Sequence, residues 1–315
     1  MEHLAPKELI RVENGYPEVF QLTWAINGIC NNACPYCVPA LHAASNHGYK
    51  WENAKKFFIE LFKRKEKINL AISGGEPTMS PFFTELCEMF YERNHTLGFT
   101  TNGIKSAEYY ESISKLVNYI CFSFHPQYDD GIELIKKVNS AKVNTKITVR
   151  VMMNPKEWDK SIKFWNEITK VDNICVESVR ILDWGQADRE TLIYTDEQIE
   201  WFNHNQRVEK DHIDNKEFVK QTGNFYRVDG TIDYRGSAVD YINAGFTDFF
   251  DWKCNIGIES MFIGTRGEIK GGNCYVGGNI GHLDDVENIR WPETGVTCDV
   301  NLCHCSTDVF INKWK

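Results

Sequence analysis

The chain has 315 residues, 42% of them hydrophobic and 25% charged, and its 35 basic and 44 acidic residues give a formal net charge of −9. This composition is that of a globular protein with room for a catalytic domain and a smaller second one. The negative charge disfavours nucleic acid as a substrate. No apolar run of about eighteen residues and no secretory signal occurs, so we expect a cytosolic protein without a membrane partner. Its eleven cysteines then predict metal binding or catalysis, not disulfides.

Strand-like apolar runs and amphipathic helical patterns alternate along the first two thirds of the chain. The predicted strands lie at about 19–28, 68–73, 97–101, 118–125, 146–153 and 174–182, and the predicted helices at 51–67, 80–95, 106–117, 156–171 and 195–209. Such alternation predicts an α/β fold with a parallel sheet and right-handed crossovers. Six strands are too few to close an eight-stranded barrel. We therefore expect a partial (β/α)6 barrel of the TIM type, with its chemistry at the carboxyl ends of the strands.

Three closely spaced cysteines follow the first predicted strand. Cys30, Cys34 and Cys37 stand in the string CNNACPYC. Three thiolates on one tight loop can hold three irons of a [4Fe–4S] cluster and leave the fourth iron open to a ligand. Part of a zinc site is the alternative, because zinc also binds closely spaced cysteines.

Glycines and polar residues end the later strands. Gly74 and Gly75, in the string SGGEP, allow close approach of the backbone to a ligand, although Pro77 could simply begin a helix. Polar residues near the ends of the third, fourth and fifth strands are Thr100, Asn102, Ser123, His125 and Arg150. A plain turn is the alternative at the third strand, and an ion pair with Glu177 is the alternative for Arg150.

The cysteine spacing, the aromatic Tyr36 before the third cysteine and the Gly-Gly-Glu-Pro string one β–α unit later resemble the signature of radical S-adenosylmethionine (SAM) enzymes. The resemblance implies the same partial barrel, a [4Fe–4S] cluster whose open iron binds SAM, and a 5′-deoxyadenosyl radical that abstracts hydrogen from a substrate. It implies a reductant such as flavodoxin or ferredoxin. It also implies SAM contacts for Tyr36, Gly74, Gly75, Glu76, Pro77, Thr100, Asn102, Ser123, His125 and Arg150.

Five further cysteines lie near the end of the chain: Cys254, Cys274, Cys298, Cys303 and Cys305. Two short strands within 261–270, joined by a glycine-containing turn, would bring the first two together, and 277–283 is predicted as a loop leading into a helix. The arrangement resembles the SPASM and twitch extensions of radical SAM enzymes, which implies one auxiliary [4Fe–4S] cluster. Cys254, Cys274, Cys303 and Cys305 are the expected ligands, and Cys298 is the spare, with hydrogen donation as its possible role. Zinc is again the alternative.

We therefore expect a radical SAM barrel at 1–209, a bridge at 210–253 and an auxiliary-cluster domain at 254–315. The expected reaction is hydrogen abstraction from a peptide or a small polar metabolite, followed by oxidation, epimerisation or crosslinking. Only about eighteen residues precede the first predicted strand, which favours a small molecule or a short peptide, and the stretch from Asp183 to Trp252 is the expected substrate contact. The alternatives are a non-catalytic electron-transfer or sensor protein and a nucleic-acid-modifying radical SAM enzyme. Cys87, Cys121 and Cys175 are predicted to be buried core residues.

Overall fold

Strands and helices alternate along the part of the chain that the computed structural model describes, residues 9–44, 46–181, 193–210, 222–233, 238–303 and 305–315. The helices are α1 (Trp51–Arg64), α2 (Phe83–Glu92), α3 (Ala107–Ile113), α4 (Ile132–Ala141), α5 (Trp158–Ile168), α6 (Asp196–His204) and α7 (Ala238–Asn243). The first eight strands are β1 (Leu9–Asn14), β2 (Val19–Ala25), β3 (Lys67–Ser73), β4 (Thr96–Thr101), β5 (Tyr119–Phe124), β6 (Lys146–Met152), β7 (Cys175–Val179) and β8 (Arg207–Glu209). The remaining strands are β9 (Gly223–Arg227), β10 (Ile232–Asp233), β11 (Lys253–Cys254), β12 (Ser260–Ile263), β13 (Glu268–Lys270), β14 (Asn279–His282), β15 (Val296–Thr297) and β16 (Lys313–Trp314).

The six predicted strands are confirmed as β2 to β7, and five of the predicted helices are confirmed as α1, α2, α3, α5 and α6. The order β–α–β of a partial barrel therefore runs from β2 to β7 along the chain. The predicted capping box of α6 is present: the Thr195 side chain accepts from the N–H of Gln198, whose own side chain accepts from the N–H of Thr195. Helix α4 lies between β5 and β6, where no helix was predicted.

Residues 26–47 and 72–218 form one compact unit, here the first unit. Within it β4, β5, β6 and β7 are parallel neighbours in chain order, and β8 pairs with β7 in antiparallel orientation. Cys87, Cys121 and Cys175 are buried, as predicted. Aromatic rings fill the space between sheet and helices; the Phe124 ring, for example, stacks on the Phe164 ring with centroids 3.9 Å apart. This packed framework holds the carboxyl ends of the strands in place.

Residues 1–25, 48–71 and 219–315 form the second unit. One of its sheets is antiparallel, with the strand order β10-β9-β1-β16-β11-β15. Elsewhere in this unit β12 pairs with β2 in parallel orientation and with β13 in antiparallel orientation. The predicted pair of strands within 261–270 is thus confirmed. The prediction of a helix-leading loop at 277–283 is wrong, because Asn279–His282 pairs with β13 as strand β14.

None of the helices in the described ranges combines the length and apolar character that a membrane crossing requires. The expected substrate-contact stretch, 183–252, and the expected bridge, 210–253, lie partly outside the described residues, which omit 182–192, 211–221 and 234–237.

Candidate functional site

The cysteine loop is tied down by the residue that follows the first barrel strand. Asn27 is fully buried, and its side-chain oxygen accepts a hydrogen bond from the N–H of Ile29 at 3.0 Å. Its amide nitrogen donates to the hydroxyl of Ser80 at 2.7 Å. Within the loop, the N–H of Cys37 donates to the carbonyl of Cys34 at 2.9 Å, which closes a turn. The three cysteines thus follow an anchored strand end on a tight turn, as predicted.

The Gly-Gly-Glu segment packs directly against this loop. The N–H of Gly75 donates to the carbonyl of Asn27, and the N–H of Glu76 donates to the carbonyl of Ile29, both at 2.7 Å. A side chain at position 75 would place its Cβ 2.2 Å from that Ile29 oxygen, so only glycine fits. Gly74 has a φ of 116°, a conformation that also favours glycine. The two segments therefore form one surface.

Glu76 connects this surface to the end of the third barrel strand. Its side chain is buried, and one carboxylate oxygen accepts hydrogen bonds from the hydroxyls of Thr78 at 2.6 Å and Thr101 at 2.8 Å. The other oxygen accepts from the N–H of Asn102 at 2.7 Å. Burial raises the pKa of Glu76, while these hydrogen bonds oppose that shift.

The side chain of Asn102 reaches the cysteine loop in turn. Its amide nitrogen donates to the side-chain oxygen of Asn31 at 2.8 Å and lies 3.6 Å from the sulfur of Cys30. Glu76 and Asn102 together therefore link the Gly-Gly-Glu turn, the end of β4 and the first cysteine.

A cavity of about 510 Å³ opens at this surface, within the usual size range of small-molecule sites. It brings together eleven of the predicted site residues: Cys30, Cys34, Tyr36, Cys37, Gly74, Gly75, Glu76, Thr100, Asn102, Ser123 and His125. All of them belong to the first unit. Residues from one loop and from the ends of several strands thus face a single space, as the fold class predicts.

Two predicted cofactor contacts are absent from the lining that the described residues provide. Pro77 begins a 3-10 turn, Pro77–Met79, which was the alternative reading of that residue. The Nε of Arg150 donates to the carboxylate of Glu177 at 3.0 Å, which was likewise the alternative. Arg207 also contacts Glu177, at 3.1 Å, so Arg150 belongs to an ion-pair group on β6, β7 and β8.

Sequence reasoning missed several lining residues: Asn32, Val38, Leu41, Thr101, Met152, Val179, Arg180 and Ile181. Arg180 is the most important of these residues, because it brings a guanidinium group to the cavity lining. It directly follows β7, and its guanidinium lies over the Tyr194 ring, 5.1 Å from the centroid. The available signal was its position at the carboxyl end of the last barrel strand.

A chain of hydrogen bonds fixes the aromatic residue of the cysteine loop. The Tyr36 hydroxyl lies 2.8 Å from Nδ1 of His125, and Nε2 of His125 lies 3.0 Å from the Ser123 hydroxyl. Burial lowers the pKa of His125 to about 4, so the ring is neutral near pH 7.

The hydrogen-bond partners of Ser123 and Tyr36 determine which nitrogen of His125 carries the proton. Ser123 donates its hydroxyl proton to the carbonyl of Thr101 at 3.2 Å, so it accepts from Nε2–H. Nδ1 is then an acceptor, and the Tyr36 hydroxyl donates to it. The amide of Gln127 donates to the same hydroxyl at 2.8 Å, consistent with this direction. Tyr36 is therefore oriented from both sides.

The donor set of the loop fits an iron–sulfur cluster. Cys30 and Cys37 are partly exposed to the cavity and Cys34 is buried beside it, and all three are free thiols. Burial raises the pKa of each, to about 11 for Cys34. Within the described ranges no three ligand-type side chains already stand at metal-binding spacing. The fit therefore rests on three thiols from one turn that line a cavity with room for a second ligand.

The five later cysteines lie in the second unit. Cys298 and Cys303 are buried in one apolar cluster, Cys254 is buried in another, and Cys274 packs against both. The sulfur of Cys305 lies 2.8 Å from the hydroxyl of Thr307 and accepts from the amide of Asn273 at 3.4 Å. Burial raises the pKa of all five thiols. This many sulfur donors in one region fit a second cluster.

The order of strands and helices, the cysteine loop and the cavity are together the features that the resemblance to radical SAM enzymes predicted. Residues 24–157 match the family model described as the Radical SAM superfamily. The match spans 134 of the 315 residues and includes the cysteine loop and the Gly-Gly-Glu turn.

Parts of the chain are also similar to proteins of known name. The chain is 31% identical over 102 residues to the mycofactocin maturase MftC of Mycobacterium tuberculosis; the match covers 32% of this chain and 25% of the maturase. The chain thus matches about a quarter of the length of this curated relative. It is also similar to the solved structure of anSMEcpe with bound AdoMet, with a TM-score of 0.51, 16% identity and coverage of 93% of both chains.

A second solved structure with the same fold is SuiB of Streptococcus suis bound to the precursor peptide SuiA. The TM-score is 0.50 and the identity 12%, with coverage of 87% of this chain and 65% of SuiB. Together with the structure of anSMEcpe, it shows the radical SAM fold, and thus the predicted partial barrel.

Proposed function

We propose that this protein is a radical SAM oxidoreductase with one auxiliary iron–sulfur cluster. The observation that carries the proposal is the meeting of Cys30, Cys34 and Cys37 with the Gly-Gly-Glu turn around one cavity of about 510 Å³. In this proposal the three thiolates hold a [4Fe–4S] cluster, and SAM occupies the remaining space. When bound, this pair supplies a 5′-deoxyadenosyl radical that abstracts hydrogen from the substrate.

The protein's own residues would hold the methionine part and the adenine of SAM. The Gly74–Gly75 backbone provides a surface without side chains for the methionine part, next to the carboxylate of Glu76. The hydrogen-bond chain from Ser123 through His125 fixes Tyr36, the residue that the family resemblance places at the adenine. Because these groups are already oriented by the protein, less ordering is needed when SAM binds.

Arg180 is the better candidate than Arg150 for the SAM carboxylate. A guanidinium matches a carboxylate with two parallel hydrogen bonds. Arg150 is occupied by Glu177, whereas Arg180 lines the cavity, and the contact described for it, with the Tyr194 ring, leaves its donor groups available to an anion. Pro77 has no proposed contact with SAM, because it begins the turn behind Glu76.

The auxiliary cluster is proposed to bind Cys254, Cys274, Cys303 and Cys305, with Cys298 left free. Its task would be to accept the electron that a substrate radical loses during oxidation. All eleven cysteines are free thiols, which supports a reducing, cytosolic location. A one-electron donor such as flavodoxin or ferredoxin completes the proposed system.

A peptide is the proposed substrate class. The maturase MftC is a relative by sequence, and SuiB, which shares the fold, is described as bound to a precursor peptide. The cavity opens at the carboxyl ends of the strands, where a substrate can approach the radical. A small polar metabolite is the second candidate.

The direct test is anaerobic reconstitution with iron and sulfide, followed by dithionite and SAM. We expect 5′-deoxyadenosine from the wild-type protein and none from C30A, C34A or C37A. C87A is the matched control, because Cys87 is buried in α2, away from the cavity lining, and should retain SAM cleavage. Absence of 5′-deoxyadenosine from a fully loaded wild-type protein would instead favour a non-catalytic electron carrier or sensor.

A further inference from the structure

A lysine is enclosed within the antiparallel sheet of the second unit. Lys313 lies in β16 and is only 2% exposed, although lysine is rarely buried without a partner. Its ammonium group donates hydrogen bonds to the backbone carbonyls of Val309 at 3.1 Å, Ile311 at 3.0 Å and Asp308. All three protons are used, but each acceptor is neutral.

The position of Lys313 links it to the cysteines of the proposed auxiliary cluster. In the β11–β16 pair its cross-strand partner is Cys254, and the side chains of such partners share a face with their Cβ atoms about 5 Å apart. The carbonyls that bind its ammonium belong to the turn that Cys305 begins: the Cys305 carbonyl accepts from the N–H groups of Asp308 and Val309 at 2.9 and 3.1 Å. The ammonium therefore lies between the strand of Cys254 and the turn after Cys305.

The groups that interact electrostatically with this cation are the thiols of Cys254, Cys274 and Cys303 and the carboxyl of Asp308. The nearest carboxyl in sequence, Asp308, is also buried, and its side chain accepts from the N–H of Asn273 at 3.0 Å. The Lys313 ammonium donates to the backbone carbonyl of Asp308, and it interacts with the Asp308 carboxyl electrostatically. The Phe249 ring, 5.1 Å away, adds a weaker attraction. A buried cation is costly unless it is paired, and the Asp308 carboxyl offsets this cost only in part, because burial disfavours its own charged form.

We propose that Lys313 is the countercharge of the auxiliary iron–sulfur cluster and raises its reduction potential. The inference rests on the proposed function. A cluster on four thiolates is anionic and gains a further negative charge when it is reduced, so a buried ammonium group stabilises the reduced form more than the oxidised form. Local charge and burial are the levers that set the potentials of such clusters.

This effect suits the proposed reaction. When the substrate gives a hydrogen atom to the 5′-deoxyadenosyl radical, its carbon radical must lose one electron and one proton to complete a two-electron oxidation. An oxidised auxiliary cluster held by these cysteines would accept the electron and return it to the external carrier, while the proton would go to solvent. A higher cluster potential makes the electron transfer from the substrate more favourable.

The experiment measures the auxiliary cluster alone, in the full-length C30A/C34A/C37A protein, by electron paramagnetic resonance at controlled potentials. We expect K313M and K313Q to lower the ratio of reduced to oxidised cluster at least tenfold at a fixed potential, which corresponds to about 59 mV for one electron. K313R keeps the charge and should stay close to the parent.

K253M is the matched control. Lys253 is next to Cys254 in the same strand, but it is exposed, and its ammonium donates to the hydroxyl of Thr297 at 2.8 Å. Solvent screens its charge, so its removal should leave the ratio nearly unchanged.

Fully loaded K313M and K313Q proteins with an unchanged ratio would overturn the inference and leave Lys313 as a structural tie for the 308–311 turn. If these variants lose the cluster, thermal unfolding of the iron-free proteins distinguishes the two roles of Lys313. A countercharge role predicts that iron-free K313Q is nearly as stable as the iron-free parent, although it binds much less cluster on reconstitution. A structural role predicts a large loss of stability in iron-free K313Q as well. Lack of iron in the parent itself would instead contradict the proposed auxiliary cluster.

Discussion

The carboxylate of Glu76 and the backbone N–H of Asn102 are joined by a hydrogen bond of 2.7 Å, which ties the Gly-Gly-Glu turn to the end of the next barrel strand. The other carboxylate oxygen accepts from the Thr78 and Thr101 hydroxyls and from the Thr78 N–H. A carboxylate offers about four acceptor positions, and donors of the protein itself occupy most of those of Glu76. Glu76 therefore holds the wall of the cavity together as well as facing the cavity.

The substitution E76Q tests this structural role. An amide must point its NH₂ group at one of the donors that the carboxylate now accepts, so one buried donor loses its partner. We expect the free energy of unfolding of the iron-free protein to fall by about 1–3 kcal/mol, measured by urea denaturation. E111Q, on the exposed face of α3, is the control and should change it little. Equal stability of E76Q and wild type would contradict the role.

Gly75 provides a test of the contact between the two loops. In G75A the new Cβ would lie 2.2 Å from the Ile29 carbonyl, so the cysteine loop must move. We expect a loss of about 1–3 kcal/mol in stability and a clear drop in SAM cleavage by the reconstituted protein. G230A is the control, because nothing lies within 4 Å of the added Cβ and only the positive φ of 81° disfavours alanine there. We expect G230A to lower the free energy of unfolding by about 1 kcal/mol. Normal SAM cleavage by G75A would show that the loop tolerates displacement.

Arg180 and Arg150 are a matched pair for the SAM carboxylate. We expect R180Q to weaken SAM binding roughly ten- to hundredfold, because a charged hydrogen bond is worth about 1.5–3 kcal/mol. R150Q removes the ion pair with Glu177, which is not part of the cavity lining, and should leave SAM affinity nearly unchanged. Equilibrium dialysis with the reconstituted proteins measures both. A larger effect of R150Q than of R180Q would restore the assignment made from the sequence.

The strands and most of the site were predictable because their signals are local. β2 to β7 are short apolar runs between amphipathic helices, and the cysteine loop and Gly-Gly-Glu turn are contiguous strings. Helix α4 was missed although it begins beside Gly131, whose φ of 88° marks the turn. β14 was missed because its polar residues become a strand only through pairing with β13.

The remaining misses depend on contacts between distant parts of the chain. Whether Arg150 meets a ligand or Glu177 depends on the β6–β7 register, which places these two residues opposite each other. The neighbourhood of Cys254 and Lys313 likewise depends on pairing between β11 and β16. Such registers are determined by tertiary packing, and the sequence pattern alone cannot distinguish between them.

The hydrogen bonds of the late cysteines distinguish the proposed ligand from the proposed spare. The sulfur of Cys305 accepts a hydrogen bond from the Asn273 amide at 3.4 Å, and such a donor stabilises a thiolate in a cluster. The thiol of Cys298 instead donates toward the Val300 carbonyl at 3.6 Å.

We therefore expect C305S, made in the C30A/C34A/C37A protein, to lower iron per chain sharply, and C298S to leave it unchanged. In the protein with both clusters, C298S should still cleave SAM. If Cys298 donates hydrogen, the wild-type reaction in heavy water will give an epimerised product that contains deuterium. C298S will then not form this product, because serine holds its hydrogen too strongly to give it to a carbon radical. If the reaction is a net oxidation, product will form without solvent deuterium and C298S will make it normally. Loss of iron in C298S together with full iron in C305S would reverse the two assignments.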